Sequence, residues 1–327
     1  MSLPFGLGLP DYWVPLRGLK LSKFDIIMWI FIALGSSLFY GFANVLDNFL
    51  TNRLFKSIWT LVFFGMCIDL VFLPIVCFIS PPSLPPLNLV PFILIIGFLE
   101  IFYLWPYYKA LQTDDTSVVS SLFSIGRIFI PFFAFLIIGE VVQPAQYLGF
   151  FFVILSSSLL TLKDVRHLKL NKSFFYMVLV SIMLAMDTVL YKLILDQMSW
   201  GTAFVFVQLS SCFFAFCFLF VPKIRKDIFR HFKEAKHTFK FLALEEVMAF
   251  SANATSAYVL SLVPITVARG LSAFIPFIVL FYGAVLQKYY PKFFHENVER
   301  GNILKKIFLF GLTLIGVFLI LQNGGTM

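Results

Sequence analysis

Six carboxylates stand inside the long apolar runs of this chain: Asp47, Asp69, Glu100, Asp187, Glu245 and Glu246. Two arginines, Arg127 and Arg269, stand there with them. An ionisable side chain in hydrocarbon costs about 2.5–3.5 kcal/mol on insertion scales, so each needs a physical reason. Three chemistries supply one: pairing with a charged solute, carrying a proton, or pinning two helices together. Asp69 and Asp187 fall near the middle of apolar runs. Desolvation favours the neutral form of a carboxyl, so a buried one takes up and releases protons near neutral pH. The alternative for both is a hydrogen bond to Ser, Asn or Tyr of a neighbouring helix. Asp47 is nearer the end of a run and reads as interfacial. Arg269 lies close to Pro264 and either reaches the interface or pairs with an anionic group.

Depth along helices decides which of these groups can meet. Glu100 precedes the polar turn at Asp114 by 14 residues and Arg127 follows it by 13. At about 1.5 Å of rise per residue the two come to one level of a helical hairpin. They are expected to pair there, either as a structural pin or as part of a solute site. Glu245 precedes Pro276 by 31 residues, as Glu100 precedes Pro131. Adjacent carboxylates on a helix point about 100° apart, so one of Glu245 and Glu246 is expected to face a cavity. Tyr40, Trp105, Tyr107, Tyr191 and Tyr258 are candidate walls, with an interfacial belt as the alternative. Pro131 and Pro276 each remove a helix hydrogen bond and are expected to kink their helices or serve packing.

The elements that position these groups follow from composition. Of 327 residues, 60% are hydrophobic and 13% charged, and the mean hydropathy is +0.92. A soluble domain carries about 45–50% apolar and about 25% charged residues. A spanning helix needs about 20 apolar residues. Ten segments fit: Ile26–Leu46, Ile58–Ile79, Leu89–Ala110, Ser117–Ile138, Ala145–Leu162, Phe174–Leu195, Thr202–Val221, Phe241–Leu262, Ile265–Leu286 and Leu304–Leu321. The run Ser80-Pro81-Pro82-Ser83-Leu84-Pro85-Pro86 must be a loop, because proline lacks the amide proton. No removable signal peptide is visible before Lys23.

The net charge of +8 does not point to nucleic acid, because the basic residues gather in the loops between apolar runs. Loops and span ends after odd-numbered spans hold nineteen Lys and Arg against four on the other side. The positive-inside rule then places both termini outside. The basic segment from Lys223 to Lys240 has Ile228, Phe232, Ala235 and Phe239 at helical spacing. It reads equally as a surface helix on an anionic membrane or as a solvated loop.

The two halves echo each other. Phe129-Ile130-Pro131-Phe132 recurs as Phe274-Ile275-Pro276-Phe277, an offset of 145 residues. Five spans per half is odd, so the second half enters the membrane inverted, which is the plan of many secondary transporters. The fold class expected is all-α integral membrane: ten transmembrane helices as two inverted five-helix repeats. Residues 1–24 are an N-terminal segment, 25–165 the first repeat and 166–327 the second.

Several elements resemble the EamA-type pattern of the drug/metabolite transporter superfamily. They are Pro106-Tyr107-Tyr108-Lys109-Ala110-Leu111, then Pro131, Gly139-Glu140, and Gln146-Tyr147-Leu148-Gly149-Phe150. The second half keeps Pro276 and the span with Gly311 and Gly316, but has Tyr282-Gly283-Ala284 where Gly-Glu would stand. The resemblance implies ten helices, spans one to four and six to nine around a central cavity, and outward movement of amino acids or other small metabolites. It also implies cytoplasmic termini, the opposite of the Lys and Arg count. Expected partners are a small-molecule substrate and the bilayer of a plasma or inner membrane, with the chain a monomer or homodimer.

Rival classes find less support. His167, His231, His237 and His295 form no metal-binding pair, and no phosphate-cradling glycine loop is present. Cys67, Cys77, Cys212 and Cys217 lack ligand spacing and read as packing residues. Neither an enzyme, a cofactor nor a metal is expected. A lipid or polyprenyl-phosphate flippase of the same fold is the main alternative.

Overall fold

The computed structural model describes residues 23–138, 144–161, 172–234, 238–263, 265, 268, 272–289 and 300–322. Most of these are helical, with no strand among the described residues. The first part comprises α1 (Lys23–Phe49), α2 (Ile58–Ile79), α3 (Val90–Phe102), α4 (Leu104–Leu111), α5 (Thr116–Leu122), α6 (Gly126–Ile138) and α7 (Pro144–Thr161). The second comprises α8 (Lys172–Leu195), α9 (Trp200–Phe216), α10 (Pro222–Glu234), α11 (Phe239–Leu262), α12 (Ile275–Tyr289) and α13 (Arg300–Gln322).

Five helical runs are long and apolar enough to cross a membrane: Met28–Leu54, Ile58–Ile79, Leu87–Leu111, Lys172–Leu195 and Trp200–Phe220. Exposed phenylalanines line the outside, among them Phe31, Phe132, Phe175, Phe213 and Phe78, the last 90% exposed. Water would penalise such a surface by about 25 cal/mol per Å² of apolar area, whereas lipid does not. The chain is a helical membrane protein.

Proline and local hydrogen bonding set the breaks. The ring of Pro106 clashes with the carbonyl four residues earlier, that of Phe102, and α3 ends there. Tyr103 is the joint between α3 and α4. A 3₁₀ turn at Phe123–Ile125 separates α5 from α6, and another at Ser272–Phe274 precedes α12. Pro276 is therefore in the first turn of α12, where a missing N–H costs nothing, and the break lies just before it rather than at it. Pro131 stands within α6, and its side chain lies outside the described residues. The end of α1 widens into a π turn, Leu50–Leu54. There Asn48 and Asn52 both donate from Nδ2 to the Leu111 carbonyl, at 3.3 and 3.1 Å, tying α1 to the end of α4. Ser199 caps α9, accepting from the Thr202 amide at 3.3 Å.

Helix α1 packs on α11 and α12, while α8 packs on α3, α4 and α6. Helix α2 packs on α9 and α11, and α9 also on α3. Helices α7 and α13 pack on each other, joined by a 2.6 Å hydrogen bond between the hydroxyls of Ser156 and Thr313. The basic segment does contain a helix, α10. Its Ile228 is buried and His231 stacks on Phe55 at 4.1 Å, so α10 is seated on the end of the bundle.

Two large apolar clusters flank the middle of the bundle. One cluster holds Leu73 and Val76 of α2, Ile93 and Ile96 of α3, and Phe250 of α11. The other holds Leu61 and Phe64 of α2, Ile101, Leu111 and Leu242. Asp69, Glu100, Glu245 and Glu246 fall between the two clusters along their own helices. The carboxylates thus occupy a polar seam, and the packing on either side of it fixes their level.

Candidate functional site

The seam opens into a cavity of about 270 Å³. All six carboxylates identified in the sequence line it: Asp47, Asp69, Glu100, Asp187, Glu245 and Glu246. They come from α1, α2, α3, α8 and α11, so both parts of the chain contribute. Among the described residues no Lys, Arg or His lines it. Two ion pairs join described residues, Lys192 to Asp196 at 3.1 Å and Arg230 to Asp227 at 2.7 Å, and neither reaches the cavity.

Neutral donors hold three of the carboxylates, Asp47, Asp69 and Glu100. Tyr107 and Tyr108 donate to Asp47 at 2.9 and 3.1 Å, one phenol to each oxygen. Tyr107 Oη also lies 3.1 Å from Asn44 Oδ1, and Asn44 donates to Ser120 at 3.3 Å. Gln208 of α9 donates to Asp69 Oδ2 at 2.7 Å, and Ser211, one turn further along, donates to Glu100 Oε2 at 2.6 Å. Tyr40 of α1 donates to Asn253 of α11.

Asp69 and Glu246 are in direct contact. Asp69 is 3% exposed, and its Oδ1 has no hydrogen-bond donor among the described residues. The Glu246 carboxyl lies within hydrogen-bonding reach of Asp69, and the Glu245 carboxyl within reach of Glu246. Two carboxylates only accept, so such a contact needs a proton on one of them or a cation between them. Room for Glu246 comes from Gly65 of α2: a Cβ there would collide with Glu246 Oε1.

Several expectations change on this geometry. Asp47 is buried and lines the cavity, with α1 continuing past it into the π turn. Both Glu245 and Glu246 line the cavity, since a long side chain over Gly65 offsets the angle between neighbours. Trp105 does not line it; the residue is 38% exposed and packs edge-on against Tyr176. Tyr258 packs instead against Trp200. Tyr40, Tyr107 and Tyr191 do line the cavity. Glu100 takes Ser211 as its partner, while the Arg127 side chain lies outside the described residues. Arg269, Pro264 and the Gly139-Glu140 element lie outside them too. Residues not singled out beforehand are Tyr103 at the helix break, Gln208, Asn44 and Asn253. Pro106, which dictates the break, is a signal for Tyr103; the other three carried none.

A direct test concerns Asp47. Asp47→Leu leaves the buried Tyr108 hydroxyl without an acceptor, which costs about 1–3 kcal/mol. Thermal unfolding in detergent is expected to fall accordingly, and less for Asp47→Asn, which keeps one acceptor oxygen.

Comparison with known proteins agrees with this architecture. No curated protein matches the chain. A solved structure described only as "Crystal structure of protein" superposes with a TM-score of 0.54 at 12% identity. The match covers 93% of this chain and 98% of the other, and it establishes likeness of fold alone. The family model of the EamA-like transporter family matches residues 27–162, which contain the elements from Pro106 to Phe150. That family is one of membrane transporters of small molecules, within the drug/metabolite transporter superfamily. Over residues 27–162 the chain is therefore similar to the EamA-like transporter family.

Proposed function

We propose that the chain is a secondary transporter that moves small metabolites outward across a plasma or inner membrane. Its cavity opens alternately to the two sides, and the carboxyls of the seam carry the coupling protons. The observation that carries this reading is a central cavity whose carboxylates come from both parts of the chain. Six acids around one membrane cavity are costly for a purely structural core, and such groups in a membrane mark solute and proton paths.

The packing supports ten spans in two inverted repeats, 25–165 and 166–327. If α1 corresponds to α8, α2 to α9, α3 and α4 to α11, α5 and α6 to α12, and α7 to α13, the contacts map onto themselves. The α1 contacts with α11 and α12 become the α8 contacts with α3, α4 and α6. The α2–α11 contact becomes α9–α3, while α2–α9, α5–α12 and α7–α13 join counterparts. Such a two-fold arrangement supplies two equivalent states, the requirement for alternating access. The break at Tyr103 beside the cavity is of the kind that transporters place at binding sites.

The test is tracer exchange by purified protein in liposomes, with amino acids, amines and nucleobases screened across an imposed pH gradient. Saturable exchange that responds to the gradient is expected. Folded, inserted protein that exchanges no solute but moves a labelled lipid between leaflets would replace this reading with a flippase.

A further inference from the structure

We infer that the solute of this cavity is a small organic polycation: an amine with two or more positive charges spaced along a methylene chain. The inference rests on the carrier reading above and names its substrate class.

Charge is the first argument. The cavity presents six carboxyl groups, while Arg127 and Arg269 are the two arginines within the apolar runs. Were both arginines to turn inward, four carboxyls would still remain uncompensated by a cation. An anionic solute would meet like charge in a medium that screens poorly, and a zwitterion would gain at one end what it lost at the other.

The second argument is local. Asp69 Oδ1 is buried in the cavity wall without a donor among the described residues, and the group beside it is the Glu246 carboxyl. An ammonium offers three N–H donors and no acceptor, so one such group between Asp69 and Glu246 satisfies both. It does so by charge-assisted hydrogen bonds, which are stronger than neutral ones.

The third argument separates an amine from a metal ion. Among the described residues no three acidic, histidine or cysteine side chains converge as metal ligands. The acids are spread over five helices, which suits charges set apart along a chain. The rings of Tyr40, Tyr103, Tyr107 and Tyr191 line the same cavity. Aromatic faces attract organic ammonium groups and tolerate the methylenes that join them.

The experiment is counterflow in liposomes containing the full chain, with radiolabelled putrescine, butylamine, leucine and glutamate as separate probes. Putrescine exchange is expected to exceed that of each other probe at least about tenfold. In Asp69→Asn it is expected to fall at least about tenfold. Preference for leucine or glutamate would overturn the substrate class and leave the carrier intact. Equal rates for putrescine and butylamine would overturn the requirement for two charges. No exchange of any probe by folded, inserted protein would overturn the carrier reading as well. Because the comparison among probes uses the wild-type chain, it decides the matter even if Asp69→Asn fails to fold.

Discussion

Glu246→Gln is expected to give a protein that folds at least as well as the parent and has lost its transport. Glu246 sits over Gly65 with its carboxyl against Asp69, so a buried acid faces a buried acid. Glutamine has the same shape and brings an NH₂ group that donates to Asp69 without a proton or cation. A hydrogen bond to a charged group is worth about 1.5–3 kcal/mol, so the substitution fills the vacant acceptor permanently. The expected result is an apparent melting temperature equal to the parent's or a few degrees above it. Counterflow is expected to fall at least about tenfold, since 1.4 kcal/mol is a factor of ten in occupancy. Thermal unfolding and counterflow on one preparation check both halves. Parental exchange with raised stability would show that the pair only holds α2 to α11.

The second large effect is structural. Gly97→Val is expected to separate α3 from α9 and to destabilise the protein by about 3 kcal/mol, the upper end for overpacking. A Cβ at Gly97 would collide with the Ser210 side chain and lie 2.7 Å from the backbone nitrogen of Ser211. A side chain can rotate away, but the backbone nitrogen of a packed helix cannot. Ser211 donates to Glu100, so the same displacement moves a cavity carboxylate away from its partner. Gly311→Ala is the control: nothing lies within 4 Å of a Cβ there, and about 0.5–1 kcal/mol of helix stabilisation is expected. Unfolding of the two variants in one detergent checks the contrast.

The helical class was legible because hydropathy reports it directly: nothing but lipid accommodates apolar runs such as Ile58–Ile79. The carboxylates were legible for a related reason, since an acid inside such a run is costly enough to be conspicuous. Their grouping was not. The place of Asp47 in the cavity wall was hidden because distance from the end of an apolar run does not say what a side chain faces. Helix α1 outlasts its apolar run and ends in a π turn, which sequence pattern does not reveal. The place of Glu246 beside Glu245 in the cavity depended on a glycine of another helix, Gly65, 181 residues before Glu246 in the chain. Trp105 was expected in the wall with its neighbour Tyr107, but the helix restarts at Leu104, and only Tyr107 and Tyr108 turn toward Asp47. Neutral partners such as Gln208 and Asn253 leave no mark in composition. Only packing identifies them.

Alternating exposure of the cavity is the claim on which the functional account stands, and cysteine accessibility tests it most directly. Ala249 of α11 lines the cavity and carries no hydrogen-bonding group, so a cysteine there perturbs little. The background must lack Cys67, Cys77, Cys212 and Cys217, which are free thiols. In vesicles of defined orientation, Ala249→Cys is predicted to react with a membrane-impermeant maleimide applied from either side, and a transported solute should slow both reactions. Reaction from one side only, unaffected by any solute that the protein exchanges, would contradict the account.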